Sequence, residues 1–102
     1  MNRGDVYDVE FPSGRRPGVI VTRDHAIPIL RNVTVAEVTA TIRDIPTEVL
    51  LGPPQGLARE CVATCDNLHT VPKGALGRRR GMLGPEQTHD LNHALSIALG
   101  LD

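Results

Sequence analysis

Residues 32–51 constrain the fold more than any other part of this sequence. Residues 33–38 read Val-Thr-Val-Ala-Glu-Val, so alternate side chains of an extended chain fall on the same face. This period of two, together with the β-branched residues, predicts a strand with Glu37 and Thr39 continuing the face of Val33 and Val35. A second strand is predicted over residues 47–51, after the interruption at a proline. The chain is therefore expected to contain neighbouring strands joined by a polar segment.

That polar segment, residues 39–44, is open to two interpretations. It carries two hydroxyls, Thr39 and Thr41, and the guanidinium of Arg43 at a strand end. The first interpretation is a solvated turn in which threonine is present for its β-propensity. The second is a polar site that binds an anion, since guanidinium and hydroxyl groups both donate hydrogen bonds to oxyanions. These residues alone favour the solvated turn, so the decision depends on the rest of the chain.

The remaining sequence predicts further strands and one helix. Strands are predicted over residues 5–11, 18–22, 59–64 and 77–83. The strand at 18–22 is apolar enough to be buried on both faces, and the Arg-rich strand at 77–83 suits a sheet edge. Residues 66–76 are expected to form a turn followed by an irregular connection.

The clearest helix begins at Gly84-Pro85-Glu86, because proline is well tolerated in the first turn. Gly100 is placed to end it. Its apolar stripe is formed by Leu91, Ala94, Leu95, Ala98 and Leu99. Strands closed by one amphipathic helix predict a small α+β domain that spans residues 1–102.

Composition excludes several classes of partner. Aromatic residues make up 2% of the chain, which argues against binding nucleic acid on stacking platforms. The formal net charge is -1, so no global basic field attracts a duplex, although arginines cluster at residues 15–16 and 78–80. No apolar stretch approaches the length of a membrane span, and the N-terminus lacks the apolar core of a signal peptide. A cytoplasmic protein is expected.

The two cysteines, Cys61 and Cys65, are expected to be free thiols. On a regular strand their side chains would be about 13 Å apart, so a disulfide would require a sharp turn. Metal ligation would require more Cys or His residues nearby than Asp66 and His69 supply. We therefore predict no metal site and no cofactor.

Six segments in order along the chain carry a family resemblance. They are residues 3–7, 16–21, 33–43, 46–49, 65–71 and 76–83, followed by the helix end at 98–101. Together they resemble the MazF/PemK family of toxin endoribonucleases, which cut single-stranded messenger RNA in bacterial toxin–antitoxin systems. The resemblance implies a small twisted antiparallel SH3-like β-barrel with a C-terminal helix. It also implies a homodimer and a cognate antitoxin protein as partners.

The same resemblance implies an active centre at Arg16 and Thr39, and a reaction without metal. The ribose 2′-hydroxyl attacks its own phosphate and leaves a 2′,3′-cyclic phosphate and a 5′-hydroxyl. Arg16 can donate two hydrogen bonds to the non-bridging oxygens, and Thr39 can donate a third. Because arginine stays charged at any working pH, Arg16 suits charge stabilisation better than proton removal. The sequence leaves open which group removes the 2′ proton.

Further residues are interpreted as RNA contacts, and two features depart from the family pattern. The expected RNA contacts are Arg15, Arg23, Thr41, Arg43 and His69, whereas His25, His89 and His93 are expected to be solvated. The loop before the Arg-Pro motif, residues 12–15, is shorter than in many relatives, which puts sequence recognition in question. Glu37 replaces a frequent proline, and the sequence offers no reason for it.

Two other functions remain open. A CcdB-like gyrase-poisoning toxin would share the fold, because fold alone does not determine function. The presence of Arg16 and Thr39 argues against it, since such toxins lack that pair. The other alternative is a non-catalytic barrel that binds RNA or protein.

Overall fold

The computed structural model covers residues 1–102 and contains six strands, two short 3₁₀ turns and one α-helix. The strands are β1 Asp5–Phe11, β2 Gly14–Ile20, β3 Asn32–Thr39, β4 Glu48–Leu51, β5 Cys61–Pro72 and β6 Leu76–Met82. The helix, α1, spans Pro85–Ala98, and the 3₁₀ turns span Pro53–Gln55 and Lys73–Ala75. All strands pair antiparallel in one sheet, in the order β4-β5-β3-β2-β1-β6. The sheet curls into a half-barrel, which confirms the predicted α+β class and the SH3-like architecture.

Two glycines show how far the sheet curls. Gly56 follows the 3₁₀ turn after β4, and a Cβ atom there would clash with the carbonyl group of Arg80 in β6. A Cβ atom on Gly81 of β6 would likewise clash with the carbonyl group of Gln55. Such an approach of two backbones is possible only without side chains. Since β4 and β6 lie at opposite ends of the strand order, the two edges of the sheet nearly meet.

Both faces of the sheet carry an apolar core. Val19 and Ile20 are consecutive in β2 and fully buried, and they point to opposite faces. Val19 belongs to the first core, which receives α1 through Leu91 and Ala94. Ile20 belongs to the second core, which contains the only phenylalanine, Phe11. The prediction that this strand is buried on both faces is therefore confirmed.

The helix begins at Pro85, as the sequence predicts, and Gly100 follows it with a φ of +69°. The apolar stripe packs on the first core except at its end, where Leu99 is 56% exposed. Leu99 is the residue after the last helical turn, so it no longer faces the sheet. No helix in the structure combines the length and the apolar character that crossing a bilayer requires.

The prediction for residues 59–76 was wrong, because β5 is one twelve-residue strand rather than a short strand and a turn. Its register against β3 changes abruptly, since Ala36 pairs with Leu68 while the next residue, Glu37, pairs with Thr64. Residues 65–67 therefore form a bulge with three extra residues. The Asp-Asn pair is typical of a turn, but here it forms a bulge. The chain does not reverse, because β5 pairs with β3 on both sides of the bulge.

Thr47, immediately before β4, anchors this bulge. Its carbonyl oxygen accepts a hydrogen bond from the amide of Cys65 at 2.9 Å. Its hydroxyl donates to Oδ2 of Asp66 at 2.6 Å. The irregular part of β5 is thus held by defined partners, and the residues beyond it keep a fixed register.

The second strand also begins earlier than the sequence predicts, at Gly14 instead of Gly18. Residues 12 and 13 are the whole loop of the β1–β2 hairpin, and Gly14 adopts a φ of +123° that favours glycine. Proline at position 17 is tolerated because β3 pairs with β2 only from Gly18 onward. As a result, Arg15 and Arg16 lie on a strand and point to opposite faces of the sheet.

Cys61 and Cys65 are free thiols, as predicted, and both are buried. Burial, together with the neighbouring carboxylate of Asp66, raises the pKa of the Cys65 thiol to about 11, while Arg3 opposes the shift. Burial also raises the pKa of Cys61. Both thiols are therefore protonated at neutral pH and behave as small apolar side chains in the first core.

Candidate active site

A polar cleft of about 250 Å³ opens beside β2, the end of β3 and the bulge of β5. None of its eight lining residues is hydrophobic. Four of them are residues that the sequence predicted for the site: Arg16, Thr39, Thr41 and Arg43. The other four are Ser13, Glu37, Thr64 and Asn67. The polar segment after β3 is therefore part of a shaped site and not only a solvated turn.

Arg16 and Thr39 enter this cleft from adjacent strands of the sheet. The side chain of Arg16 is 45% exposed, so its guanidinium is accessible to a ligand. The hydroxyl oxygen of Thr39 accepts a hydrogen bond from the amide of Thr41 at 3.2 Å. Because that bond uses a lone pair, the hydroxyl proton of Thr39 stays free to donate to a substrate oxygen.

Glu48 holds the loop that carries Arg43. One carboxylate oxygen of Glu48 accepts hydrogen bonds from the backbone amides of Arg43 and Asp44, at 2.9 and 3.0 Å. Asp44 has a φ of +56°, a left-handed conformation that aspartate tolerates better than most residues. This pins the backbone of Arg43 at the rim of the cleft and leaves its guanidinium free for a ligand.

Glu37 lies at the centre of the polar contacts. Its Oε1 is 3.5 Å from Nε of Arg16 and accepts a hydrogen bond from the hydroxyl of Ser13 at 3.3 Å. Its Oε2 is 3.4 Å from Nε2 of His69. The carboxylate side chain is only 12% exposed, although it lines the cleft. One acidic group is thus held by contacts from the hairpin loop, from β2 and from β5.

Phe11 and Gly18 explain how His69 reaches this site. The Phe11 and His69 rings are 4.8 Å apart between centroids, although two strands separate β1 from β5 in the sheet. Three strand spacings of about 4.8 Å would place them some 14 Å apart in a flat sheet. A Cβ atom on Gly18 would lie 3.2 Å from Cζ of Phe11, so the absence of a side chain there makes room for the phenyl ring.

Three predicted RNA contacts do not line the cleft: His69, which reaches it only through Glu37, and two arginines that lie elsewhere. Arg15 points away from Arg16 and pairs with Glu10 at 2.8 Å on the opposite face of β2. Arg23 is exposed beyond the far end of β2. In the second arginine cluster, Arg79 and Arg80 contact Asp5 and Asp8 at 3.3 and 2.9 Å. The three remaining histidines, His25, His89 and His93, are exposed, as predicted.

Glu37 lines the cleft but is not among the residues that the sequence predicts for the site. The alternation of β3 places Glu37 on the same face as Thr39, which the structure confirms, since both line the cleft. The sequence gives no reason for an acidic residue among side chains that are expected to bind an anion. No sequence signal indicates Ser13, Thr64 or Asn67, because they reach the cleft through the tight hairpin and the β5 bulge.

Comparison with known proteins agrees with this fold and site. The profile of the family described as "PemK-like, MazF-like toxin of type II toxin-antitoxin system" matches residues 2–99. The endoribonuclease MazF3 of Mycobacterium tuberculosis is 42% identical over 87 residues, which cover 85% of this chain and 84% of that protein. The probable endoribonuclease MazF2 of the same species is 32% identical over 98% of this chain and 99% of that protein.

Solved structures give the same result. The Mycobacterium tuberculosis toxin MazF-mt6 superposes with a TM-score of 0.91 at 38% identity, over 96% of this chain and 98% of that chain. A mycobacterial endoribonuclease in complex with its cognate antitoxin gives a TM-score of 0.91 at 34% identity, over 100% and 97%. Fold and matches together define a toxin of a type II toxin–antitoxin system. Within that class, the chain belongs to the PemK-like, MazF-like family.

Proposed function

We propose that this protein is a single-domain endoribonuclease toxin that cuts single-stranded messenger RNA at preferred sequences in the cytoplasm. The reaction uses no metal or cofactor and leaves a 2′,3′-cyclic phosphate and a 5′-hydroxyl. One observation carries the proposal: Arg16, Thr39, Thr41 and Arg43 share a single cleft without a hydrophobic lining residue. The mycobacterial relatives at 32–42% identity are named endoribonucleases, which supports the same activity.

Arg16 and Thr39 supply the hydrogen bonds that the transition state needs. Negative charge gathers on the non-bridging oxygens as the 2′-oxygen attacks phosphorus, and donors already in place stabilise it. Arg16 contacts Glu37 through Nε, so its two Nη groups remain available for phosphate oxygens. Thr39 donates its free hydroxyl proton to the same group.

Thr41 and Arg43 hold the RNA backbone beside the reacting phosphate. Their contacts are electrostatic or hydrogen-bonding, so they should affect affinity and its salt dependence more than sequence preference. His69 reaches the site through Glu37. Arg15 and Arg23 lie outside the cleft, so they can serve only nucleotides that extend beyond it.

Thr39→Val tests the site with nearly unchanged volume. Cleavage of a single-stranded RNA in EDTA should fall by about 100-fold or more, the scale for one lost transition-state donor. Thr34→Val is the matched control, because Thr34 lies on the same strand and contacts Thr70, away from the cleft. Product ends are identified by direct 5′ phosphorylation, which requires a free 5′-hydroxyl. Equal loss in both variants, or activity that EDTA abolishes, would contradict the proposal.

The two alternative functions are less well supported. A gyrase-poisoning toxin is not favoured, because the relatives that match across most of the chain are endoribonucleases. A non-catalytic barrel would not require Arg16 and Thr39 to meet in one cleft. The RNA cleavage experiment separates both from an endoribonuclease.

The proposed partners are a second copy of this chain and an antitoxin protein. The antitoxin would lay an acidic and apolar tail on the toxin, with carboxylates taking the place of phosphates near Arg16 and Arg43. A segment that orders on binding can cover a long surface at the cost of its chain entropy. Inhibition should then be competitive with RNA and weaken as salt rises, because screening acts on exposed charge pairs. Rate measurements at several RNA and salt concentrations check this, and sedimentation checks the dimer.

A further inference from the structure

The proposed reaction needs a group that removes the proton from the attacking 2′-hydroxyl. Arginine cannot do so, because it stays protonated at any working pH. Serine, threonine and asparagine side chains are not bases at neutral pH. Among the eight residues that line the cleft, Glu37 is the only one with a carboxylate. A carboxylate within reach of the reacting atoms is a common general base.

A purely structural role for Glu37 would be to anchor Arg16. The geometry does not favour this role alone, because the 3.5 Å between Nε of Arg16 and Oε1 of Glu37 is no closer than the 3.4 Å between Nε2 of His69 and Oε2, and both exceed the usual hydrogen-bond length. By contrast, Arg15 and Glu10 pair at 2.8 Å on the other face of the same strand. Glu37 also has contacts with Ser13 and His69, which an anchor for Arg16 would not require.

We propose that Glu37 is the general base of this enzyme, and that His69 is a positioning residue that orients the carboxylate. The inference rests on the proposed ribonuclease function and adds a catalytic residue to it. Glu37 takes the proton of the 2′-hydroxyl while Arg16 and Thr39 hold the phosphate. The general-base role explains why the acidic side chain of Glu37 lies in a cleft that binds the RNA phosphate.

The step balances without any further reactant. The 2′-oxygen forms a bond to phosphorus, and the bond between phosphorus and the 5′-oxygen of the next nucleotide breaks. The 5′-oxygen leaves with the electron pair and takes a proton from water. Glu37 returns its proton to the solvent, so no net proton is consumed and nothing is oxidised or reduced.

His69 is placed to act on Glu37 and not on the phosphate. Its Nε2 is 3.4 Å from Oε2 of Glu37, and its ring packs against Phe11. His69 itself does not line the cleft. Because the imidazole packs against Phe11 and its Nε2 lies beside Oε2, it restricts Glu37 from one side and leaves Oε1 towards Arg16.

The decisive variant is Glu37→Gln, which keeps the shape and removes the base. The substrate is an RNA oligonucleotide that the wild-type protein cuts, and the binding probe is the same oligonucleotide with a 2′-deoxy nucleotide at the cleaved position. The single-turnover rate should fall by about 100-fold or more, within the range for general-base catalysis. Affinity for the probe should stay equal or rise, since a negative charge leaves the cleft. Glu10→Gln is the matched control. Like Glu37, Glu10 contacts an arginine of β2, but it lies on β1 and outside the cleft.

A pH profile separates a base from a structural carboxylate. The charged or polar groups that face Glu37 are Arg16 from β2, His69 from β5 and Ser13 from the hairpin loop, and Arg43 lines the same cleft. The wild-type rate should decline at acidic pH as the base becomes protonated, and this decline should be absent in Glu37→Gln. His69→Leu should lower the rate by about 10-fold while affinity for the 2′-deoxy probe stays unchanged, because the carboxylate is then less well oriented. His69→Gln, which keeps a polar group at this position, should restore most of the rate.

Chemical rescue provides a second, independent variant. Glu37→Ala leaves a space beside Arg16, and added formate should restore part of the rate by supplying a carboxylate there. Formate should not accelerate Glu37→Gln, in which the space is filled. A Glu37→Gln variant that cuts RNA at the wild-type rate, with its fold intact by circular dichroism, would overturn the assignment and leave the ribonuclease function standing. A wild-type protein that cuts no RNA would overturn both.

Discussion

Arg15 and Arg16 are neighbours on β2, yet the two faces of the strand use them differently. Arg15 points to the face of Val19 and pairs with Glu10 at 2.8 Å, with side chains 66% and 56% exposed. Arg16 points to the face of Ile20 and lies 3.5 Å from Glu37, whose side chain is 12% exposed. The shorter contact is the solvated one, and the longer contact lies in the polar cleft.

The difference shows that distance alone is a poor guide to function. An exposed pair is screened by water and loses side-chain entropy, so it contributes about 0–1 kcal/mol at most. The longer Arg16–Glu37 contact leaves both groups with unused hydrogen-bonding capacity in a partly shielded place. Such capacity is what a substrate phosphate and a 2′-hydroxyl can use. The surroundings of each pair therefore decide its role.

The largest expected effect comes from comparing Arg16→Ala with Arg15→Ala. Arg16→Ala should lower the cleavage rate at saturating RNA by about 100-fold or more, because it removes the forked donor to the transition state. Arg15→Ala should weaken RNA binding by no more than a few-fold at low salt, because Arg15 is solvated and outside the cleft. Single-turnover cleavage at several RNA concentrations separates the two effects.

Both variants should unfold at the same urea concentration as the wild type within error, since neither residue is part of a core. If Arg15→Ala reduces the saturated rate as much as Arg16→Ala, the distinction between the two faces is wrong. If Arg16→Ala cuts at the wild-type rate, the site assignment is wrong.

An intermediate effect is expected from Gly18→Ala, which adds a methyl group on the face of Arg16. Its Cβ would lie 3.1 Å from Cγ2 of Val9 and 3.2 Å from Cζ of Phe11. Overpacking of this kind costs about 1–2 kcal/mol of unfolding free energy, measured by urea denaturation. Displacing Phe11 also removes the support of His69, so cleavage should fall as well.

Gly77→Ala is the control for this substitution. Gly77 also lies on a strand, but its Cβ would make only ordinary contacts, at 3.6 Å or more. That variant should be neutral or slightly stabilised, because alanine restricts the unfolded chain. Equal stability of the two alanine variants would show that the second core has room to adjust beneath the cleft.

Local patterns predicted much of this fold, and together with the family resemblance they predicted four of the eight cleft residues. The alternation in β3 and the stripe of α1 were confirmed, because each depends on residues close in sequence. Arg16 and Thr39 were indicated by a family resemblance, and the structure brings them into one cleft. The extent of β5 was wrong, because turn-forming residues can also make a bulge and only pairing with β3 decides between them.

The contacts around Glu37 lay beyond sequence reasoning for a related reason. Phe11 meets His69 only because the sheet curls and because Gly18 leaves space between the strands. His69 is opposite Val35 only because the bulge shifts the register of β5. The curl of the sheet and the register of its strands depend on the whole sheet, so they cannot be predicted from any single segment of the sequence.

The smallest expected effect is the coupling free energy between Glu10 and Arg15, which lie on the solvated side of the β1–β2 pair. The two residues are direct cross-strand partners in the β1–β2 pair, with Nε of Arg15 donating to Oε1 of Glu10. A double-mutant cycle with Glu10→Gln and Arg15→Gln should give a coupling free energy of about 0.2–0.5 kcal/mol, as for other exposed pairs. The coupling should shrink further in 1 M salt, where the Debye length is about 3 Å. Urea denaturation of the four proteins at two salt concentrations measures it. A coupling well above 1 kcal/mol that resists salt would show that the Arg15 face holds its ion pair as a structural element, and the contrast with the Arg16 face would then rest on the cleft alone.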